Sequence, residues 1–347
     1  MKATVLHGIN NLRIEDIQVP ELTNNEVLVN VKACGICGSD VGRALKTGAY
    51  HYPIVIGHEF AGTVTKVENI NHNRWIGKRV GVFPLKPCFS CKSCKDRHYE
   101  MCESYDYLGS RCNGGFEEFV AVPEWNLIEL PDNVSYEEAA MLEPLSVAIH
   151  ALRDFDDLNG KTVAIIGPGP IGNMISKVAK AKGVSRIIMI GRTAEKLAFA
   201  SNYGSDHVID SKSQRVKDKI DNLTDGNGAD IVVEGTGASS SVSTAIHAVR
   251  RGGSVVLLGN PSEDIPIDKA TYWQILRKQI KLIGTWNSSF KSSRDDWQEA
   301  VNMISSGKID LKPLISHRLP FDKLRQGLEI IISKDIFSNK VMLVNNE

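Results

Sequence analysis

The sequence predicts an α/β chain in which a β-rich domain is interrupted by a doubly wound parallel-sheet domain. Three observations carry this. Up to about residue 150, short β-like runs are broken by Gly, Pro and Asn every ten residues or so. From about 160 to 286, apolar runs alternate with helical segments. After Trp286 the texture is mixed again and ends in the strand-like Lys340-Val-Met-Leu-Val344. A chain of 347 residues is long enough for two domains with a core in each.

The elements follow in order. Glu26-Val-Leu-Val-Asn-Val31 and Ala61-Gly-Thr-Val-Thr-Lys-Val67 read as strands, the first fed by a turn at Thr23-Asn24-Asn25. Val163-Ala-Ile-Ile166 reads as a buried strand. Ile171, Met174, Ile175, Val178 and Ala179 then share one helical face, and Gly183 stands where the helix should end. Ile187–Ile190, a helix through Glu195 to Tyr203, His207–Asp210, Ile231–Val233 and Ser254–Leu258 continue the alternation, which is the pattern of a parallel sheet. Lys281-Leu-Ile-Gly284 follows as a further strand. With Ser254–Leu258 it would form an edge able to pair across a two-fold axis, and a homodimer or homotetramer is expected.

Composition excludes several classes. Lys plus Arg and Asp plus Glu are 41 each, so no basic field favours nucleic acid or an anionic membrane. The N-terminal residues lack the apolar stretch of a secretory signal, and no run is long enough to span a membrane, so the expected location is cytoplasmic. Seven cysteines, four of them within fifteen residues, suit metal binding better than disulfides in a reducing compartment.

Gly167-Pro-Gly169-Pro170-Ile171-Gly172 fits G-x-G-x-x-G between the expected strand and helix. Gly167 permits the tight turn, Gly169 lets the backbone approach a pyrophosphate, and Gly172 lets helix and strand pack closely, with the helix N-terminus facing the phosphates. The second strand ends Gly191-Arg192-Thr193. The acidic residue that would bind a ribose 2′-hydroxyl is missing, and Arg192 and Thr193 suit a 2′-phosphate. This favours NADP(H). The alternative is that Arg192 is a solvated turn residue and NAD(H) is used.

Cys88-x2-Cys91-x2-Cys94-x7-Cys102 places four thiolates where they can close a tetrahedral Zn²⁺ shell with no open position, which is a structural site. Lys86, Lys92, Lys95 and Arg97 lie nearby to offset its negative charge. A second, dispersed set consists of Cys37, His58-Glu59 and Glu143. These residue types suit a catalytic zinc that keeps one position for water or substrate, but their spacing alone does not bring them together.

The motifs GHE with CGSD upstream, the four-cysteine lobe, EPLSVAIH and GPGPIG occur in that order across essentially the whole chain. Together they resemble the zinc-containing medium-chain dehydrogenase family. The resemblance implies a GroES-like catalytic domain from residues 1–152 and 287–347, with the zinc lobe at about 84–104, and a Rossmann domain from 153–286. It implies two zinc ions per chain: a catalytic one on Cys37, His58 and a carboxylate, and a structural one on the four lobe cysteines. Glu59 and Glu143 compete for the carboxylate role. One glutamate with Cys37 leaves the metal site formally neutral, whereas both make it a poorer Lewis acid, so one is expected to ligate while the other stands behind or exchanges. Ser39 resembles the family's proton-relay hydroxyl. No histidine follows it in Asp40-Val-Gly-Arg43, which leaves His51 as a candidate for the proton's exit.

Glu143 resembles the polyol branch of that family. HYPIVIGHEF, PCFSCKSC, YDYLGSRCNGGF and EPLSVAIH further resemble those members that oxidise a sugar-alcohol phosphate to the ketose phosphate. A phosphate needs a cation, for which Arg43 comes first and Lys46 and Lys291 behind it. The alternatives are an NADP(H)-dependent dehydrogenase of an unphosphorylated polyol, diol or secondary alcohol, and a dinucleotide-binding protein without turnover. Retention of Cys37, His58, Glu59 and Glu143 argues against the latter.

Overall fold

A strand from each end of the chain builds the first sheet in the computed structural model, which describes residues 1–345. Glu26–Ile36 runs through the middle of seven strands. Along the sheet the order is Leu127–Glu129, Arg79–Val82, Glu59–Val67, Glu26–Ile36, Lys340–Val344 and Ile315–Pro320, and Phe119–Pro123 also pairs with Glu26–Ile36. Val27, Val29, Val31, Ala33 and Cys34 are fully buried in its core. The central strand continues five residues past Val31, the expected end. Gly35 reads as a breaker in the sequence, yet here it pairs with Glu59 on one side and Met342 on the other.

The second sheet has six parallel strands in the order His207–Asp210, Arg186–Gly191, Thr162–Ile166, Ala229–Glu234, Val249–Leu257 and Lys281–Gly284. This is the doubly wound order whose crevice opens at the carboxyl ends of the strands. Val163, Ala164, Ile187, Ile188, Val232 and Val233 are completely buried, as strands covered on both faces require. Gly183, at φ +88°, follows the last residues of helix Pro170–Ala181 in the left-handed conformation that ends helices.

The chain divides into two units, Met1–Ser146 with the segment from Ser288 onward, and Val147–Asn287. The first division lies inside helix Leu142–His150 rather than after Leu152. The start of that helix belongs to the β-rich unit, where a Cβ added at Gly81 would come within 2.8 Å of Leu142. Among the described residues, no helix is long and apolar enough to cross a membrane.

Candidate active site

Strand register brings the dispersed residues together. Cys37 follows directly on Ile36 at the end of the central strand, Glu59 begins the neighbouring strand opposite Gly35, and Lys340 begins the C-terminal strand, in which Val341 faces Ile36. One ligand atom each from Cys37, His58 and Glu59 lies within 4.8 Å of the others. Gly35 makes this possible, because a Cβ there would stand 2.2 Å from Glu59 Oε2. Cys37 is also the N-cap of helix Gly38–Leu45, and its N–H donates to Asp40 Oδ2 at 2.9 Å.

The site's charged groups are mostly buried. Lys340, 3% exposed, donates to both oxygens of Glu59, at 2.8 and 2.5 Å. Asp40 is fully buried, with Oδ1 3.4 Å from His58 Nδ1 and 3.4 Å from an Arg43 guanidinium nitrogen. Glu143 is outside the three-residue cluster, and its Oε1 accepts from Tyr107 O–H at 3.1 Å. Burial raises the Glu143 pKa, and Glu59 adds to this. Burial alone would depress the His58 pKa, but Asp40 and Cys37 outweigh it and lift it well above the usual histidine range. Cys37 Sγ, a ring nitrogen of His58 and a carboxylate oxygen of Glu59 thus converge as three donors, with the Glu143 carboxylate held by Tyr107 outside them. Cys, His and carboxylate donors are a set that zinc accepts, and the fit is good.

Ser39 is half-buried and its Oγ accepts from Arg43 at 2.9 Å, which leaves the hydroxyl proton free to be donated elsewhere. Arg43 is thereby tied to Ser39 and Asp40. His51 Nε2 bonds the Arg111 carbonyl at 3.0 Å rather than Ser39. Lys46 is exposed. Lys291 is held by the Trp125 carbonyl at 2.6 Å, and its ammonium lies over the Phe290 and Trp125 rings, a structural setting that removes it as an anion receptor.

In the lobe, Cys88, Cys91, Cys94 and Cys102 bring their sulfurs within 4.8 Å of one another, and Cys88 and Cys94 are 3.9 Å apart. Tetrahedral zinc with Zn–S bonds of about 2.3 Å would separate its sulfurs by about 3.8 Å. Backbone N–H groups of Cys91 and Cys88 donate to the sulfurs of Cys88 and Cys102, both at 3.3 Å. Hydrogen bonds from Ser90 and from backbone N–H groups pull the Cys88 thiol down to about 5 and backbone hydrogen bonds lower that of Cys91, while burial raises Cys94 and Cys102.

In the second unit, a cleft of about 770 Å³ opens at the strand ends. Gly167, Gly169, Gly191, Arg192 and Thr193 line it. Gly167 has φ +117°, and a Cβ on Gly172 would stand 2.0 Å from the Gly167 carbonyl oxygen, while a Cβ on Gly169 would meet nothing within 4 Å. The backbone is therefore open to a pyrophosphate at Gly169. Pro170, Ile171 and Gly172 form the first helical turn, outside the lining. Lys196, Ser211 and Lys212 join Arg192 and Thr193 in the cleft. Glu234, 1% exposed, accepts from the Thr236 N–H at 2.8 Å and the Thr236 hydroxyl at 2.6 Å, fixing a loop that lines the same cleft.

Sequence reasoning missed Lys340, Tyr107, Glu234, Lys196 and Lys212. A lone lysine opening an apolar terminal strand was a signal for Lys340. The rule that ligands bind at the carboxyl ends of parallel strands pointed to Lys212. Nothing local marks Tyr107.

Comparison with known proteins bears on both units. Residues 23–132 match the alcohol dehydrogenase GroES-like domain, and residues 170–306 match the zinc-binding dehydrogenase domain. Over 346 residues the chain is 32% identical to galactitol 1-phosphate 5-dehydrogenase of Escherichia coli K12, covering 99% of this chain and 100% of that one. It is 31% identical to sorbitol dehydrogenase of Bacillus subtilis, covering 100% and 98%. Among solved structures, galactitol-1-phosphate dehydrogenase from Escherichia coli superposes with a TM-score of 0.92 at 31% identity, covering 99% and 100%. A zinc-binding dehydrogenase from Sinorhizobium meliloti 1021 bound to NADP superposes with a TM-score of 0.91 at 26% identity, covering 99% of each chain. An alcohol dehydrogenase from Escherichia coli CFT073 complexed with NADH also gives 0.91, at 27% identity and 99% of each chain. The chain belongs to the zinc-dependent medium-chain alcohol and polyol dehydrogenase family. It is an oxidoreductase with a GroES-like domain and a Rossmann domain, and its relatives at full length include polyol and polyol-phosphate dehydrogenases.

Proposed function

We propose that this enzyme oxidises a secondary hydroxyl of a polyol phosphate to the ketose phosphate, or reduces it back, with NADP(H). The observation that carries the reading is the convergence of Cys37, His58 and Glu59, the last two buried, in a chain whose full-length relatives include polyol and polyol-phosphate dehydrogenases. Cys37, His58 and Glu59 would hold one zinc, and Cys88, Cys91, Cys94 and Cys102 a second. Bound at the first site, zinc supplies a Lewis acid that lowers a hydroxyl pKa, as it lowers that of water from 15.7 to about 7. A bound nicotinamide supplies the hydride acceptor or donor.

The chain's own residues do the rest. Asp40 orients His58, while Lys340 neutralises Glu59 yet leaves lone pairs on its oxygens for a metal. Glu143, held by Tyr107, is the second carboxylate, placed to exchange with a ligand during turnover. Ser39, its oxygen occupied by Arg43, takes the substrate proton onward.

Arg192, Lys196 and Lys212, with the Thr193 and Ser211 hydroxyls, support NADP(H), because among the described residues three cations and no carboxylate line that end of the cleft. Assembly as a homodimer is supported by the edge strand Lys281–Gly284 and by exposed Leu282, Tyr272, Trp273, Leu276 and Trp286 around it. Equilibrium sedimentation showing a monomer would discard the dimer.

Turnover of galactitol 1-phosphate, sorbitol and 2,3-butanediol, each with NAD and NADP, tests the central reading. A kcat/KM well above that for the free polyol and the diol with the phosphate, and higher with NADP than with NAD, is the expected result. Activity on the free polyol or diol alone would move the enzyme to the unphosphorylated alternative.

A further inference from the structure

The segment Tyr105–Phe116 contributes to neither donor cluster, and it is built tightly against Gly57 and His58. A Cβ on Gly109 or on Gly114 would stand 2.2 Å from the Gly57 carbonyl oxygen, so both glycines let this segment press onto Gly57, the residue before His58. Tyr107 sets its ring edge-on to His58, with centroids 5.9 Å apart, while its hydroxyl reaches Glu143. The Tyr107 carbonyl then collects the N–H groups of Ser110, Arg111 and Cys112, at 3.1, 2.9 and 3.2 Å. The position of Arg111 is therefore fixed relative to the cluster by a single closed turn.

The Arg111 side chain is held as firmly as its backbone. Its guanidinium carbon lies 4.3 Å from the centroid of Tyr105 and 4.8 Å from that of Tyr50, and one nitrogen donates to the Tyr105 carbonyl at 3.1 Å. Tyr50 is 69% exposed, so this end of the stack faces water. No carboxylate pairs with Arg111 among the described residues. Arg43, by contrast, already answers Asp40 and Ser39. A planar cation stacked on aromatic rings, uncompensated and limited in its rotamers, is pre-organised to bind an oxyanion through two parallel hydrogen bonds.

We propose that Arg111 receives the anionic end of the substrate, a phosphate monoester, and so sets the preference for phosphorylated over free polyols. This rests on the polyol-phosphate reading above and replaces Arg43 as the phosphate's partner. Tyr50 and Tyr105 hold the guanidinium flat, and the turn at Tyr107 sets its position relative to the metal ligands.

The test is kcat and KM of the zinc-loaded enzyme with galactitol 1-phosphate and with galactitol, for the wild type, Arg111→Gln and Arg111→Lys. A charge-assisted pair of this kind is worth about 1.5–3 kcal/mol, so Arg111→Gln should raise KM for the phosphate roughly 10- to 100-fold. Its kcat and its galactitol kinetics should stay within a few-fold. Arg111→Lys should fall between, since it keeps the charge and loses the fork. Equal losses on both substrates would reveal a packing role and overturn the proposal, as would an unchanged KM for the phosphate. A wild type that does not prefer the phosphate would also overturn it while leaving the dehydrogenase reading intact. Turnover of neither substrate would instead remove the proposed reaction. Calorimetric titration with inorganic phosphate, in an Arg192→Ala background that weakens the cofactor cleft, then decides Arg111: binding lost on Arg111→Gln upholds the site, and binding retained overturns it.

Discussion

The lobe at 88–102 and the cluster around Cys37 are built from similar donors by opposite strategies. In the lobe, four thiols lie within fifteen residues and short-range turns bring their sulfurs together, with backbone N–H groups pointing at them. In the cluster, the ligands come from separate strand ends, and their meeting depends on the register of three strands and on Gly35 having no side chain. The lobe offers four sulfur donors, enough to close a tetrahedral shell, which suits a structural metal. The cluster mixes donors and keeps a second carboxylate and a serine beside it, which suits a metal that must exchange ligands.

The largest effect should come from the cluster. Cys37→Ser should cut kcat about a thousandfold or more, the scale of several kcal/mol of lost transition-state stabilisation, while zinc content falls from two to one per chain and the melting temperature changes little. Near-normal turnover with one zinc would break the contrast. Cys94→Ser in the lobe should do the reverse, destabilising the fold by more than about 4 kcal/mol, as loss of a structural metal does, with turnover per folded molecule largely kept. Urea unfolding and metal analysis of the variant check it.

Buried carboxylates sharpen the comparison. Glu59 is offset by Lys340, but Glu117, 2% exposed, has no hydrogen-bond partner for Oε2 among the described residues, and burial raises its pKa from 4.5 to about 8. Between those values the unfolded chain has released the proton and the folded chain has kept it, so stability falls as pH rises through the window. Glu117→Gln should remove that loss, stabilising the protein by a few kcal/mol at pH 8 and by little at pH 4.5, as read from urea midpoints. Equal changes at both pH values would contradict it. The smallest effect belongs to the cofactor cleft: Arg192→Ala should raise KM for NADPH about tenfold, roughly 1.4 kcal/mol, and leave NADH unaffected. Unchanged KM for NADPH would return Arg192 to the status of a solvated turn residue.

These contrasts explain what was legible beforehand. The lobe could be read from spacing because its geometry is local, and the glycine turn because strand, glycines and helix arrive in order. The strand rhythm of 163–284 revealed the parallel sheet for the same reason. Cys37, His58 and a carboxylate, either Glu59 or Glu143, could be gathered only through family resemblance, since register is a long-range property that no window of sequence contains. Lys340 lies 281 residues from Glu59, and its pairing follows from the C-terminal strand closing the N-terminal sheet. Arg111 was passed over because its standing depends on two tyrosines and on the absence of an acid, neither of which a motif displays.

Stepwise removal of zinc from the wild-type enzyme, with turnover and circular dichroism followed against metal content, tests the division of labour most directly. The account predicts that turnover disappears with the first equivalent lost, from the cluster around Cys37, while secondary structure survives until the lobe gives up the second. Turnover that persists to the second equivalent, or that ignores zinc altogether, would contradict it.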